Sequence, residues 1–515
     1  MKMIIALFSI AFLSTVAFAA TPAEMEAKIN KLEAKIAKFE KLEARLVAME
    51  KLEAKLSKTQ EAKIAKTAKV QTKSDAFKKL EKKVAKIEKD TKRTKKTLAK
   101  VKAHDAFDNI KFGLDFRNAI DVLGYKNNKT GEEVNNGSLL SSRLYLNMKS
   151  SPMNGLIFSG KLAIYSTWGS SLYTSSTDPL KDWSASSKPS DTVMRVKEAY
   201  FVYSWDMGEQ PLKLSIGRRP ASTGFLANYR ENEPDEGSPL AHITNMEVNA
   251  IMFQLDLSRY IEGAYTKVVY GRAHTGETNN VYSTGSNNWG PYADIDSVDE
   301  NENVDFFLFL GDVFNNGQYQ LMYQWAHIFN TKGKALNGAG TADDVNKADS
   351  GFADLGALSL KVDGIGDEIS DFLDETIVFA SVAATSYDAK SGHTLNGSSD
   401  GGSKLGHSFW IGAVFPDMMT ERGKLGFEYN HGSQYWTPMT WAEDSAMGSK
   451  IAVRGDAYEA YWNFDLFGVK NLPSQIRYTY AQHDYTPNVN CAGWVTPVAA
   501  DLTAQDLRVS VSYRY

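Results

Sequence analysis

Opposite charges are concentrated in one segment of the chain, residues 218–242. Two arginines follow a glycine there. A cluster of basic and acidic residues comes after them, and then a histidine. The charged residues are Arg218, Arg219, Arg230, Glu231, Glu233, Asp235, Glu236 and His242. If the arginines faced the carboxylates across a narrow aqueous space, the transverse field would order water and select small polar solutes. The alternative is a surface loop with scattered charge.

Local motifs for catalysis or cofactor binding are absent from the sequence. We find no HExxH, G-x-S-x-G, P-loop, dinucleotide fingerprint or CxxC. We therefore predict no enzyme activity, no cofactor and no metal site, although a His, Ser and Asp set assembled from distant strands stays open. The acidic residues 294–302 offer oxygen ligands for Ca²⁺ but lack the EF-hand glycine and spacing, so a solvated loop is favoured. Cys491 stands alone and forms no internal disulfide.

The elements that must position these charges are strands. From Phe107 onward the apolar period changes to two, as in residues 110–117, where apolar residues alternate with polar residues or glycine. We predict sixteen strands, near residues 108–119, 140–150, 155–167, 193–205, 211–217, 246–258, 262–273, 303–313, 317–328, 354–363, 374–385, 406–415, 423–431, 455–466, 473–485 and 504–515. The last strand ends in Tyr515, and such an aromatic terminus resembles the assembly signal of bacterial outer-membrane barrels.

The connections between these strands alternate between short and long. Residues 151–154, 206–210 and 314–316 are short connections, whereas 168–192 and 274–302 are long and polar. Outer-membrane barrels keep such parity, with short periplasmic turns and long extracellular loops. The pattern predicts an all-β transmembrane antiparallel barrel of about sixteen strands over residues 106–515. A soluble secreted β protein is the alternative.

The region before the barrel has helical composition. Residues 23–105 contain no Pro, Gly, Trp or Tyr, and two apolar heptad seams run along them. Residues 21–105 hold 25 basic against 13 acidic residues, whereas residues 106–515 hold 32 against 49. We predict a periplasmic coiled-coil stalk over residues 20–105 that self-associates. Its lysines either attract a polyanion such as peptidoglycan or are simply solvated.

The first residues have the pattern of a signal peptide. Lys2 precedes an apolar run that reaches Ala17-Phe18-Ala19, a small-x-small cleavage pattern. We predict a signal peptide over residues 1–19. Retention as an anchor helix is the alternative, but the run is shorter than the roughly 20 residues that span a bilayer.

Three stretches resemble a family of uncharacterised Gram-negative outer-membrane proteins catalogued as a domain of unknown function. They are residues 102–117 (KAHDAFDNIKFGLDFR), residues 195–203 (RVKEAYFVY), and residues 217–220 (GRRP) continuing to 245–247 (NME). The resemblance implies an outer-membrane location and a porin-like β-barrel with an N-terminal coiled coil. It supplies no functional residues to carry over.

The expected function is that of an outer-membrane porin-like channel for passive diffusion of small hydrophilic solutes and ions. The connection after strand five is the one that folds into the pore of sixteen-stranded general porins, so residues 218–242 are predicted to form the pore constriction. The alternatives are a structural tether with a plugged barrel and an outer-membrane enzyme. Expected partners are outer-membrane lipid, peptidoglycan at the stalk and further copies in a homotrimer. Nucleic acid is excluded by compartment.

Overall fold

A computed structural model describes the barrel region of the protein. The described residues are 110–168, 194–208, 210–220, 224–233, 237–274, 303–337, 342–347, 349–366, 369–420, 422–440, 445–487 and 496–515. The predicted signal peptide and coiled coil lie outside these residues. So do Asp235, Glu236, Cys491 and the acidic residues 294–302.

Sixteen of the described strands form one closed antiparallel barrel, each hydrogen-bonded to the next and the last to the first. They are β1 (Lys111–Asn127), β2 (Glu133–Met153), β3 (Leu156–Thr167), β4 (Arg195–Met207), β5 (Gln210–Arg219), β8 (Val248–Asp256), β9 (Tyr265–His274), β10 (Val304–Asn315), β11 (Tyr319–Ile328), β14 (Gly351–Asp363), β15 (Ile377–Ala389), β18 (Ser403–Pro416), β19 (Lys424–Gly432), β20 (Gly455–Asp465), β21 (Pro473–Tyr485) and β22 (Ala499–Arg514). The predicted closed antiparallel barrel of about sixteen strands is confirmed.

The remaining described elements lie in the connections. They are the strands β6 (Gly224–Phe225), β7 (Gly237–Leu240), β12 (Gly333–Leu336), β13 (Ala342–Lys347), β16 (His393–Leu395) and β17 (Ser398–Ser399), the short helices α1 (Ala227–Arg230) and α2 (Asp371–Asp374), and the 3-10 helix Leu466–Gly468. Four of the strands form a small sheet in the order β13-β12-β16-β17, and β6 and β7 form a parallel pair. In the described part of the chain, none of the helices has both the length and the apolar character needed to cross a membrane.

Alternation of side chains gives the barrel an apolar outer face. On β1, Phe112, Phe116 and Val122 are exposed, whereas Asp115 and Asp121 are buried. Successive side chains of a strand point to opposite faces, so the exposed apolar set faces outward and the acids face the lumen. A closed barrel with an apolar outer band is the β structure that spans a lipid bilayer.

Short and long connections alternate along most of the described barrel, but the first hairpin departs from this alternation and from the prediction, since only residues 128–132 join β1 to β2. The first two strands were expected to end at 119 and begin at 140, and both extend further, because Leu123 still pairs with Asn136 and Tyr125 with Val134. Exposed residues such as Asn136 give this extension no apolar alternation, so a pattern of hydrophobicity could not reveal it.

Part of the barrel wall is apolar on both faces. On β10, Phe306, Leu308 and Leu310 are buried in the interior, while Phe309 is exposed on the outer face. The inward set joins a cluster that includes Ile243, a residue of the connection between β5 and β8. Polypeptide therefore fills this half of the lumen.

Candidate functional site

The connection between β5 and β8, residues 220–247, is the first inward loop. Its backbone carbonyls accept hydrogen bonds from three strands far from β5. Tyr229 accepts from Asn463 Nδ2 at 2.9 Å on β20. Arg230 accepts from Gln475 on β21 at 2.6 Å, and Asn232 from Arg514 on β22 at 2.7 Å.

The same loop also contacts the other side of the barrel on its return. The backbone N–H of Leu240 donates to Gln324 Oε1 on β11 at 2.7 Å. Gln324 Nε2 in turn donates to the Thr244 hydroxyl at 2.8 Å. A segment that bonds to strands on both sides of a closed barrel crosses its interior.

A second inward loop, residues 433–454 between β19 and β20, packs against the first. Thr244 and Met439 form a parallel β-bridge. The Asn245 N–H donates to the Met439 carbonyl at 2.6 Å, and the Met439 N–H donates to Ile243 at 2.9 Å. The inward position of this loop was not predicted from the sequence. The feature of the sequence that could have indicated an inward position is the apolar content of the loop, because Trp436, Met439, Ile451 and Val453 are all buried.

Buried ion pairs fasten both loops to the wall. Glu459 on β20 lies 2.7 Å from Arg230 of the first loop and 2.9 Å from Lys450 of the second. Lys450 also pairs with Glu428 on β19. These four side chains are at most 2% exposed. Removing one partner would leave a buried charge uncompensated, which costs about 3–5 kcal/mol.

The acids of the first loop meet basic residues of the wall. Glu231 Oε1 lies 2.8 Å from Arg230 and 3.9 Å from Arg477 on β21. Glu233 Oε1 lies 3.2 Å from Arg514 on β22. Burial raises the pKa of Glu233, and the nearby Arg514 opposes this rise. The predicted residues Arg230, Glu231 and Glu233 are thus brought together.

Arg218 and Arg219 do not face these acids as a pair. They are adjacent on a strand and point to opposite faces. Arg219 lies 4.7 Å over the Tyr200 ring on the inner side, whereas Arg218 shares the outer face with Ile216 and its register partner Asn249. The predicted inward direction of Arg218 is wrong, because alternation allows only one of the two neighbours to enter the lumen. Whether the remaining predicted residues constrict an open pore stays a prediction.

His242 joins the first loop to β15 and β18. Its Nδ1 lies 2.7 Å from Ser381 Oγ and its Nε2 lies 2.9 Å from Ser408 Oγ. Ser408 donates its hydroxyl hydrogen to the His431 carbonyl, so it accepts from a protonated Nε2. Nδ1 then accepts from Ser381, whose oxygen has Ser359 Oγ 2.7 Å away as a further partner.

The surroundings of His242 keep it neutral. Its ring packs edge-on against Trp410 and Trp436 at centroid distances of 5.8 and 5.4 Å. Burial lowers the pKa of His242 from 6.5 to about 3. The imidazole is 0% exposed, so this serine–histidine grouping is closed to substrates and acts as a structural anchor.

The wall formed by β2 to β4 keeps exposed polar side chains inside the barrel. Tyr165 is 47% exposed, and its hydroxyl lies 2.6 Å from that of Tyr145. Arg143 stacks 4.2 Å over the Tyr145 ring. A cavity of about 710 Å³ reaches from Tyr145 and Lys161 of this wall past the first inward loop to β19–β22 and their short turns, where Lys424 and Lys470 line it.

Together, the closed sixteen-stranded barrel, its apolar outer band and its inward loops define the class of the protein as a porin-like β-barrel. The chain belongs to the family described as protein of unknown function (DUF3373), which matches residues 133–512. This agrees with the resemblance found in the sequence. No curated protein matches the chain. Within the described residues, no group of three or more His, Cys, Asp or Glu could hold a metal ion.

Several solved structures are similar to this chain at low identity. OprB of Pseudomonas putida has 12% identity and a TM-score of 0.45, covering 81% of this chain and 96% of that one. The anion-selective porin of Comamonas acidovorans has 12% identity and a TM-score of 0.45, covering 79% and 100%. OmpT of Vibrio cholerae in its trimer form has 11% identity and a TM-score of 0.41, covering 79% and 99%.

Proposed function

We propose that the protein is an outer-membrane channel for passive diffusion of small hydrophilic solutes. The observation that carries the proposal is the unequal filling of the lumen. One side is an apolar core built by the two inward loops, and the β2–β4 side keeps partly exposed polar side chains beside a cavity of about 710 Å³. A channel needs such a polar, hydrated wall.

Conductance of the purified protein in a planar bilayer tests the proposal. Defined open-channel steps that persist in symmetric KCl support it. Silence of a protein that still shows heat-modifiable migration in gels, and is therefore a folded barrel, would contradict it. The migration assay on the same sample excludes misfolding as the cause of silence.

A structural tether with a plugged barrel is the second candidate. Its supporting observation is that residues such as Trp436 and Val453 are 0% exposed inside the barrel, like residues of a soluble core. In this candidate the Lys-rich stalk binds peptidoglycan and the barrel is only an anchor. A silent, folded barrel whose 20–105 segment sediments with purified peptidoglycan would support it.

An enzyme is the third candidate and has the least support. His242 with Ser381 and Ser408 is the described grouping closest to a nucleophile and base, and it is buried away from solvent. Hydrolysis of lipid or peptide by the purified protein would be the observation that favours this candidate.

A further inference from the structure

Three basic side chains of the lumen wall differ from the other basic residues described above. Arg143 and Lys161 have carboxylate partners, Asp115 at 3.3 Å and Glu198 at 2.7 Å. Lys213 and Arg219 on β5 and Lys267 on β9 do not. In the part of the chain that the structure describes, no carboxylate oxygen forms an ion pair with any of these three.

Neutral groups hold two of the three in place. Lys267 Nζ donates to Ser238 Oγ of the first inward loop at 2.7 Å and lies 4.8 Å over the Tyr265 ring. Arg219 donates to the Ser215 hydroxyl. Ser215 and Ser238 are uncharged, so these contacts position the cations without neutralising them.

The three cations share one electrostatic neighbourhood. Lys213 and Lys267 are the register partners of Gln254 on either side of it, and both Lys213 and Arg219 repel Lys267. Glu198 attracts Arg219, and Asp256 attracts Lys213, without forming ion pairs. Asp312 on β10 attracts Lys267 from beyond ion-pair distance, and its carboxylate already accepts from Gln320 Nε2 at 3.1 Å. Like charges in a partly desolvated site are costly unless a counter-charge is supplied.

A small cavity lies beside two of these cations, Arg219 and Lys267. Its polar lining includes Arg219, Ser238 and Lys267, and its volume is about 30 Å³. The rest of the lining is mainly apolar and includes Val248, Ala250, Met252, Val269, Leu308 and Leu310. A space of this size holds about two water-sized groups. Two oxygens of one oxyanion would fill it and would meet two cations and a hydroxyl.

The larger cavity of about 710 Å³ differs, because most of its basic side chains have carboxylate partners. Arg422 pairs with Asp465, and Arg514 pairs with Asp115 and Glu233. Lys161 and Lys424 pair with Glu198 and Glu375. The small cavity is therefore where cations without a carboxylate partner line the interior.

We propose that Lys213, Arg219 and Lys267, with the Ser238 hydroxyl, form an oxyanion-binding site on the lumen wall. Its ligands are small solutes that carry a phosphate or carboxylate group. The site gives the channel a preference for anions, and this consequence rests on the proposed channel function. Binding of the oxyanion itself requires only the folded barrel.

Two measurements on the purified full chain test the site. Titration with inorganic phosphate by calorimetry in detergent measures binding, and the reversal potential in a KCl gradient measures the preference for chloride. Lys213→Gln/Lys267→Gln should weaken phosphate binding roughly tenfold or more and abolish the chloride preference. The control Lys129→Gln/Lys390→Gln removes the same charge at exposed positions outside the lumen and should change neither.

The outcomes separate the site from the channel. Conductance with phosphate binding and selectivity unchanged in Lys213→Gln/Lys267→Gln would overturn the site and leave the channel standing. If the wild-type protein binds phosphate but does not conduct, and Lys213→Gln/Lys267→Gln alone loses phosphate binding, the site is supported and the channel is contradicted. Lys213→Arg/Lys267→Arg keeps the charge and should keep binding, and heat-modifiable migration shows that each variant is folded. A wild-type protein that binds no phosphate would also overturn the site.

Discussion

At the residue scale, His242 makes the docking of the first inward loop dependent on pH. Its pKa is lowered from 6.5 to about 3, so between these values an undocked loop takes up a proton and the docked loop does not. The contribution of His242 to the free energy of docking is therefore complete above pH 6.5. It decreases as the pH falls towards 3, by about 1.4 kcal/mol per pH unit at most. We predict that acidification to pH 4.5 weakens the docking of the loop by roughly 3 kcal/mol at most. Emission of the neighbouring Trp410 and Trp436 should shift to the red.

His242→Asn provides the comparison for this prediction. The amide keeps a donor and an acceptor but does not titrate, so the variant should be less stable at pH 7 and show a shallower dependence on pH. Other titrating groups are common to both proteins and cancel in the difference. The same pH dependence in both proteins would show that another group controls docking.

At the element scale, the first inward loop is predicted to set the width of the passage. Deletion of residues 231–236 removes Glu231 and Glu233, which the structure places against Arg477 and Arg514 across the lumen from β5. We predict that the deletion raises single-channel conductance. Glu231→Gln/Glu233→Gln removes the two charges but keeps the backbone of the loop. A smaller rise in conductance in this variant than in the deletion would show that the loop narrows the passage by its bulk as well as by its charge. Unchanged conductance and solute cutoff in a folded deletion variant would contradict a constriction here.

The strands were predictable and the inward loops only partly so, for a physical reason. The bilayer contacts the outer face of each strand, so apolar residues stand at every second position of the sequence. Phe112, Phe116 and Val122 carry that signal. The second inward loop follows no period, because Trp436 and Met439 pack against another irregular segment. Its position depends on contacts such as Met439 with Ile243, which join residues far apart in sequence.

At the scale of the whole molecule, we predict a homotrimer with a three-stranded parallel stalk. The apolar seams of residues 23–105 need partner helices, and one bundle can serve three barrels. The lysine-rich second half repels itself, so its association should strengthen with salt. Cross-linking in native membranes followed by mass analysis should give a species of three chains. A species no larger than one chain of 57.0 kDa, with the 21–105 peptide monomeric at high salt, would contradict the trimer.

The seam between the first and last strands ties barrel closure to loop docking. Arg514 on β22 lies 3.2 Å from Asp115 on β1 and also donates to the Asn232 carbonyl inside the barrel. Arg514 keeps both contacts only while the first inward loop lies in the lumen. Closure of the barrel and docking of the loop therefore stabilise each other through one side chain. A variant without the Arg514 guanidinium would loosen the loop and the seam together.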